Sequence, residues 1–147
     1  MPTLSKGELS EFLPHRGAMC LIDSVEAWDE TTIRCQTRSH RDPANPLRRD
    51  ACLDAVAGLE YAAQAMGIHV GLRDQSRSRD NVIGYVGGLR DVVFGIERLD
   101  ECLSDLIIEA ACLLVDTQSF MYQFAISSGG RIVISGRASL FLKSRQP

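Results

Sequence analysis

One apolar stretch, residues 53–70, limits most strongly what this chain can fold into. Its sequence, LDAVAGLEYAAQAMGIHV, predicts a long helix that is apolar on nearly every side. Such a helix is normally buried on every side. A glutamate, Glu60, lies near its middle. Because an isolated buried charge is very costly, its carboxyl group must be paired, protonated or used in chemistry. The helix alone is consistent with a structural glutamate at a subunit seam and with a functional one.

The length and composition favour one cytoplasmic domain. The 147 residues are enough for a single domain with its own core, residues 1–147. A net charge of -3 argues against nucleic-acid binding, which needs a basic face. Five cysteines spread without a C-x-x-C motif favour reduced thiols over disulfides or a zinc site. No uncharged apolar run approaches the roughly 18 residues of a membrane-spanning helix. We therefore expect a cytoplasmic protein that binds no metal and crosses no membrane.

The rest of the chain is predicted to consist mostly of strands. Ser5 and Glu8 are spaced as in a capping box, which predicts a short helix over residues 6–12. Strand patterns cover residues 19–28, 31–39, 82–86, 89–96, 106–116, 118–126 and 131–142. Irregular polar connections are predicted at residues 40–50 and 73–80, and a hairpin turn at residues 128–130. One long buried helix and one antiparallel sheet predict an α+β hotdog fold, in which a curved sheet wraps the helix.

Two segments resemble the β-hydroxyacyl-ACP dehydratases of the hotdog superfamily. Residues 13–16, LPHR, followed by LIDSV at residues 21–25, are similar to the family's LPHR…LLVDRV signature. Glu60 and Gln64 match the E-x-x-x-Q of its central helix. A closer resemblance is to small dehydratase-like proteins encoded with aryl-polyene pathways. These read G-I-E-Y-x-A-Q-A where this chain has GLEYAAQA at residues 58–65, and the Ile-Gly-Tyr at residues 83–85 also matches. The resemblance implies a 3-hydroxyacyl-ACP dehydratase of fatty-acid or polyene-type biosynthesis.

The chain departs from this family at the catalytic histidine. Typical members carry that histidine in a G-H-F-P loop shortly before the central helix. Counting back from Glu60 by the family's spacing reaches Pro46, and the local sequence NPLR at residues 45–48 has no histidine. Three interpretations stay open: His15 takes the role, a partner subunit supplies the histidine, or this chain is the non-catalytic half of a pair.

Dehydration of a 3-hydroxyacyl thioester needs a base for the C2 proton and an acid for the departing hydroxyl, with no metal or redox cofactor. Glu60 is the candidate acid, since an apolar surround favours a protonated carboxyl group. His15 is the candidate base because the unperturbed pKa of histidine is near 6.5. His15 is equally consistent with a turn residue whose side chain forms hydrogen bonds with the backbone around Pro14. We expect His40 to be a solvated loop residue and His69 a core or helix-end residue.

Substrate-binding residues are expected on the helix and on a later strand. First-turn amides of the helix, at Ala55 and Val56, could bind the thioester carbonyl as charge develops on it. Gly58 and Gln64 are further candidates from the matched helix motif. Gly87-Gly88 could let a pantetheine arm approach the strand backbone, although a β-bulge explains the pair more simply.

The predicted partners rest on the positive charge of one loop and on the uncovered edges of the sheet. Four arginines of the loop before the helix could dock an acidic acyl carrier protein, or could form an ordinary charged loop; these are Arg38, Arg41, Arg48 and Arg49. A single hotdog domain leaves sheet edges uncovered, so a homodimer or a heterodimer with another hotdog protein is expected. Two other functions compete with the dehydratase. One is a hotdog thioesterase in which Glu60 activates water, and the other is a non-catalytic acyl-ACP-binding subunit.

Overall fold

The computed structural model describes residues 3–9, 20–73, 82–116 and 119–144. These residues form two α-helices and six strands. The helices are α1 (Lys6–Leu9) and α2 (Gly58–Arg73). The strands are β1 (Ser24–Trp28), β2 (Thr32–Thr37), β3 (Val82–Phe94), β4 (Leu106–Val115), β5 (Ser119–Ser128) and β6 (Arg131–Ser144). Short 3-10 helices span Ser39–Arg41 and Ala55–Ala57.

All six strands belong to one antiparallel sheet with the order β1-β2-β4-β5-β6-β3. The β5–β6 hairpin turns through Gly129 and Gly130, whose φ angles are 60° and 80°. Two successive positive φ angles match the right-handed twist of the flanking strands, and glycine adopts them without strain. The hairpin predicted at residues 128–130 is therefore confirmed.

α2 packs across the inner face of the sheet and forms the core with it. Alternating residues of β5, from Phe120 to Ile126, point inward and are buried. Gly58 lies where the helix comes closest to the sheet. A Cβ at this position would lie 2.3 Å from Ile134 Cδ1 and 3.3 Å from Ile126 Cδ1. A larger residue there would require the Ile134 side chain to move, so the absence of a side chain at Gly58 allows this close packing.

The helices begin and end differently from the predicted bounds. The predicted helix over residues 53–70 starts with the 3-10 turn of Ala55–Ala57 and continues to Arg73. At the N-terminus, the Glu8 carboxylate accepts hydrogen bonds from the Ser5 amide (3.2 Å) and hydroxyl (3.0 Å). The backbone half of the predicted capping box is therefore present. Residues 10–12 of that predicted helix, and most of the predicted connection at 73–80, lie outside the described residues.

Two strand predictions differ from the structure. β1 starts at Ser24, after an irregular segment of residues 20–23, and not at residue 19. β3 is continuous through the Gly87-Gly88 pair, where the sequence predicted the end of one strand and the start of the next, with a β-bulge as the simpler explanation of the pair. The register shifts between Val86 and Gly88, and a Cβ on Gly87 would lie 2.4 Å from the Phe141 ring. The glycine pair therefore makes a bulge that accommodates an aromatic ring.

The two edges of the sheet are covered to different degrees. Leu4 makes an isolated antiparallel bridge to Val25 and so covers part of the β1 edge. Among the described residues β3 pairs only with β6, so its other edge is open. No helix in the described part of the chain is long and apolar enough to cross a membrane. The five cysteines are free thiols.

Candidate active site

Glu60 lies on the side of α2 that the sheet leaves open. Four partly exposed residues follow the three- and four-residue spacing of one helix face, and we call them the open stripe: Glu60, Ala63, Gly67 and Gly71. The expectation that the helix is buried on every side is wrong along this stripe. A carboxyl group is thus placed on the open side of a helix that is otherwise buried by the core.

Gln64 holds one oxygen of the Glu60 carboxyl group. Its Nε2 donates to Glu60 Oε2 at 3.2 Å, and its Oε1 accepts from the Leu21 backbone N–H at 2.9 Å. Because the Leu21 N–H can only donate, it fixes the amide with its oxygen toward Leu21 and its nitrogen toward Glu60. Within the described residues Glu60 Oε1 has no hydrogen-bond partner. One carboxylate oxygen is therefore oriented by Gln64, and the other is unbonded among the described residues.

A buried polar network continues from Leu21 into the loop before the helix. The Leu21 carbonyl accepts hydrogen bonds from the hydroxyls of Thr37 (2.5 Å) and Ser39 (2.7 Å). The Tyr61 hydroxyl lies 2.7 Å from Ser39 Oγ and accepts from Asn45 Nδ2 at 3.0 Å. Burial raises the pKa of Tyr61, so its hydroxyl keeps its proton. Because the Ser39 hydroxyl donates to the Leu21 carbonyl, it accepts from Tyr61. Sequence reasoning missed this network, since its members lie up to 43 residues apart along the chain.

No histidine of the described chain contacts Glu60. His15, the candidate base, lies outside the described residues. His40 is fully buried, with Nε2 3.0 Å from the Cys102 carbonyl oxygen, so the prediction of a solvated loop residue is wrong. The Ser39–Arg41 turn directs its ring inward. His69 is a core residue, as predicted: its ring lies between the Tyr122 hydroxyl (2.7 Å) and the Asp29 carbonyl oxygen (2.8 Å).

Burial lowers the pKa of both His40 and His69, so both rings are neutral near pH 7. The neutral His69 ring has its proton on Nε2, because the Asp29 carbonyl oxygen can only accept. His69 is thus explained by its contacts in the core, whereas the buried Nδ1 of His40 has no hydrogen-bond partner among the described residues. In the described residues, no group of three His, Cys, Asp or Glu side chains is arranged to hold a metal ion.

The first-turn amides of the helix are used within the protein. The Ala55 N–H donates to the Glu97 carbonyl oxygen at 2.9 Å. The Val56 N–H donates to Asp54 Oδ1, also at 2.9 Å, as in a normal N-cap. The amides of Ala55 and Val56 are therefore not free to bind a thioester carbonyl in this structure. The Val56 side chain is exposed beside the start of the open stripe.

The three glycines proposed to bind substrate have different surroundings. Gly58 is buried at the helix–sheet contact, and Gly87 faces the Phe141 ring. Gly88 is exposed, and nothing lies within 4 Å of the position that its Cβ would take. Of the three, only Gly88 has the open space that a ligand needs.

The four arginines of the loop fall into two pairs. Arg41 donates to the Leu103 carbonyl oxygen at 2.7 Å and lies 3.4 Å from Asp105. Arg48 is half-buried and donates to the carbonyl oxygens of residues 51 and 40. Arg38 and Arg49 have exposed side chains and form no ion pair with any described residue. Two of the four guanidinium groups therefore hold the loop together, and two are available for a partner.

One central helix, a six-stranded antiparallel sheet and a glutamate on the open helix face define a protein of the hotdog class. A family model, ApeP-like, described as ApeP dehydratase, matches residues 7–146. The chain therefore belongs to the ApeP-like family of dehydratases. The sequence-based resemblance to hotdog dehydratases and the predicted α+β hotdog fold are both confirmed.

Solved structures with the same fold include dehydratases and thioesterases. The dehydratase heterocomplex ApeI:P from Xenorhabdus doucetiae matches with a TM-score of 0.82 and 26% identity, over 93% of this chain and 91% of that one. A Haemophilus influenzae thioesterase has a TM-score of 0.67 and 10% identity, over 98% and 94% of the chains. A hypothetical thioesterase with coenzyme A from Streptococcus pneumoniae has a TM-score of 0.59 and 14% identity, over 84% of this chain and 87% of that one. These two thioesterases show the fold alone. No curated protein matches the sequence.

Proposed function

We propose that this chain takes part in the dehydration of a 3-hydroxyacyl-ACP to a trans-2-enoyl-ACP, with Glu60 as the general acid. The observation that carries the proposal is the geometry of its carboxyl group in a chain of a dehydratase family. Gln64 holds Oε2, while Oε1 is unbonded among the described residues and lies on the open stripe. A protonated Glu60 can then give its proton to the departing hydroxyl, a role that contributes about 10²–10⁴-fold to a rate.

The proposed reaction is an elimination of water. A base removes the C2 proton, the C2–H electron pair forms the C2–C3 double bond, and the C3–O bond breaks. Glu60 protonates the departing oxygen, which leaves as water. The base then returns its proton to the carboxylate, directly or through water, and the site is ready again. No metal or redox cofactor is needed for this sequence of steps.

The base is the part of the site that the described residues do not supply. His40 and His69 are engaged elsewhere in the core. We propose two sources, His15 of this chain or a histidine of a partner subunit. If neither serves, the chain is the non-catalytic half of a dehydratase pair. The structure of an ApeI:P heterocomplex favours a partner made of a second hotdog protein.

The open edge of β3 is the proposed pairing site for that partner. An unpaired edge offers backbone donors and acceptors to another strand. The exposed apolar residues of this edge strand are Leu89, Val93 and Phe94. Edge pairing would bury them and extend the sheet into a second protomer. We propose a heterodimer with another hotdog protein, and the same edge allows a homodimer when this chain is alone.

Arg38 and Arg49 are the proposed contacts to the acyl carrier protein. Both are exposed and form no ion pair within the described chain. Carrier proteins of this kind have acidic surfaces, so charge complementarity would steer the encounter. Arg41 and Arg48 support this surface through their contacts within the loop.

The test is incubation of the purified chain, alone and with a second hotdog protein from its genomic neighbourhood, with 3-hydroxyacyl-ACP. Mass spectrometry follows loss of water from the acyl group, and a thiol assay follows hydrolysis. We expect dehydration that falls at least about 10²-fold in Glu60→Gln, because an amide cannot give up a proton in this role. The control is Glu30→Gln, an exposed glutamate outside the site. Release of free carrier thiol without enoyl product would identify a thioesterase instead. Dehydration by the pair that persists unchanged in Glu60→Gln would leave this chain with a binding role only.

A further inference from the structure

Two arginines lie side by side on the outer face of the sheet, away from α2. On β6, Gly136, Ala138 and Leu140 are buried against the core, so Arg137 and Ser139 point outward. The register places Arg90 of β3 directly opposite Arg137. Residues that face each other in an antiparallel pair project from the same side of the sheet. Both arginines are exposed.

The charges of this pair are not neutralised by the described part of the chain. No described carboxylate lies within ion-pair distance of Arg90 or Arg137. Asp91 follows Arg90, but it lies in a bulge with a φ of 55° and forms no ion pair with either guanidinium. On its other side Arg137 faces Gln123, which carries no charge. Like charges directly opposite each other destabilise a sheet, so the fold gains nothing from this arrangement.

Another arginine on the same face shows the contrast. Arg34 of β2 also points outward, since Ile33 and Cys35 beside it are buried. It lies 2.9 Å from Glu26 and 3.4 Å from Glu109. Two carboxylates therefore neutralise the charge of this outward arginine. The pair on β3 and β6 has no such compensation.

A small pocket lies beside the two arginines. The next register position pairs Gly88 with Ser139, and Gly88 leaves the space above it open. The pocket has a volume of about 80 Å³, and its walls include Gly88, Arg90, Met121, Arg137 and Ser139. This volume holds more than one water molecule, and the lining of the pocket is mostly apolar. Ser139 is a further polar residue of its wall.

We propose that Arg90, Arg137 and the adjoining pocket form a binding site for a phosphate group. Guanidinium groups bind phosphate oxygens through paired, charge-assisted hydrogen bonds, and an anion relieves the repulsion between the two arginines. The phosphate is that of a phosphopantetheine arm, an identification that rests on the function proposed above. The site adjoins the open β3 edge, so the arm would be held beside the seam with the partner.

Binding is tested with the full chain in the assembly it forms in solution. Calorimetry compares 4′-phosphopantetheine with pantetheine, which lacks the phosphate. We expect about tenfold tighter binding of the phosphorylated arm, and loss of that preference in the double variant Arg90→Gln/Arg137→Gln. The control Arg131→Gln removes an exposed arginine outside the pocket and should keep the preference. The melting temperature of the double variant should not fall, because a repulsive pair is removed. An unchanged preference in the folded double variant overturns the site.

Two further comparisons identify the source of the phosphate and separate this proposal from the first. With carrier protein, the double variant should weaken binding of the form that carries the arm and leave the form without it unchanged. Equal weakening of both forms would assign the arginines to acidic side chains of the carrier and overturn the phosphate site. A selective loss of turnover with 3-hydroxyacyl-coenzyme A would support the site with coenzyme A as the source.

The substrate that distinguishes the phosphate site from the dehydratase proposal is a 3-hydroxyacyl N-acetylcysteamine thioester, which contains no phosphate. Its dehydration should be unchanged in the double variant, whereas kcat/KM for the carrier-bound substrate falls about tenfold. If kcat/KM is equal in wild type and double variant for both substrates, the phosphate site is wrong and the dehydratase stands. If neither substrate is dehydrated but the phosphorylated arm still binds through the two arginines, the dehydratase proposal fails and the phosphate site stands.

Discussion

At the residue scale, Gln64 connects the candidate acid to the backbone of a distant segment. Its two hydrogen bonds join Glu60 on α2 to Leu21, which precedes β1. The glutamate and the glutamine could be predicted from the sequence, because their spacing places them on neighbouring positions of one helix face. The third partner could not, since a backbone N–H leaves no sequence signal.

We predict that Gln64→Met lowers the free energy of unfolding by about 1–3 kcal/mol, because the Leu21 N–H loses its acceptor inside the protein. Urea unfolding measures the change. The control is Gln36→Met. Gln36 is half-buried. Its hydrogen-bond partners are the side chains of Ser24 and Asp105, which are less buried than the Leu21 backbone and can turn to water. An equal or smaller loss in Gln64→Met than in Gln36→Met would contradict a buried structural bond at Leu21.

At the element scale, the long helix and the strands are the parts that periodicity predicts well. Alternation identified β2, and the apolar run identified α2. The bulge that the sequence favoured at the glycine pair is confirmed. The continuity of β3 through the pair was not predicted, because it depends on pairing with the distant strand β6. The contacts of Arg41 and the burial of His40 also depend on distant partners, Leu103 and Cys102. The candidate acid was therefore predicted, and most of its surroundings were not.

The turn at residues 49–52, just before the 3-10 turn that leads into α2, contains local strain. Asp50 and Ala51 have φ angles of 51° and 64°, and the Arg49 and Cys52 backbones exchange hydrogen bonds of 2.8 Å on either side. This is a two-residue turn of the kind that favours Asn-Gly. Alanine in the left-handed region costs about 1–2 kcal/mol, and the surrounding hydrogen bonds hold it there.

We predict that Ala51→Gly raises the free energy of unfolding by about 0.5–1 kcal/mol, since the relief of strain exceeds the entropy that glycine adds to the unfolded chain. For a chain of this size the melting temperature should rise by about 1–4 °C. Ala44→Gly is the control, an exposed loop alanine that is not among the residues with positive φ. It should lower stability slightly. A melting temperature that falls equally in both variants would show that Ala51 is unstrained.

At the scale of the whole molecule, two neutral histidines make stability depend on pH. His40 and His69 are both fully buried, and burial lowers the pKa of each below its ordinary value of 6.5. In the unfolded chain both take up a proton as the pH falls through 6.5, while in the folded protein they remain neutral. The stabilising effect is therefore complete above pH 6.5 and is lost as the pH falls toward the folded pKa values. Asp29 and Asp100 do not contribute in this window, because hydrogen bonds from the Thr31 amide and from Arg98, respectively, lower their pKa values to about 2.

We predict that the free energy of unfolding is constant between pH 8 and pH 7 and then decreases as the pH falls to 5.5. Each histidine contributes a slope of at most about 1.4 kcal/mol per pH unit. Urea unfolding at several pH values measures the total slope, and NMR of the folded protein shows whether the two rings stay neutral at pH 6. His40→Gln should remove about half of the slope that these two rings contribute, because of the two only His69 then differs between the folded and unfolded chains. If this variant does not fold, the NMR titration decides alone: folded-state pKa values of 6.5 or above would contradict the burial that the core imposes on both rings.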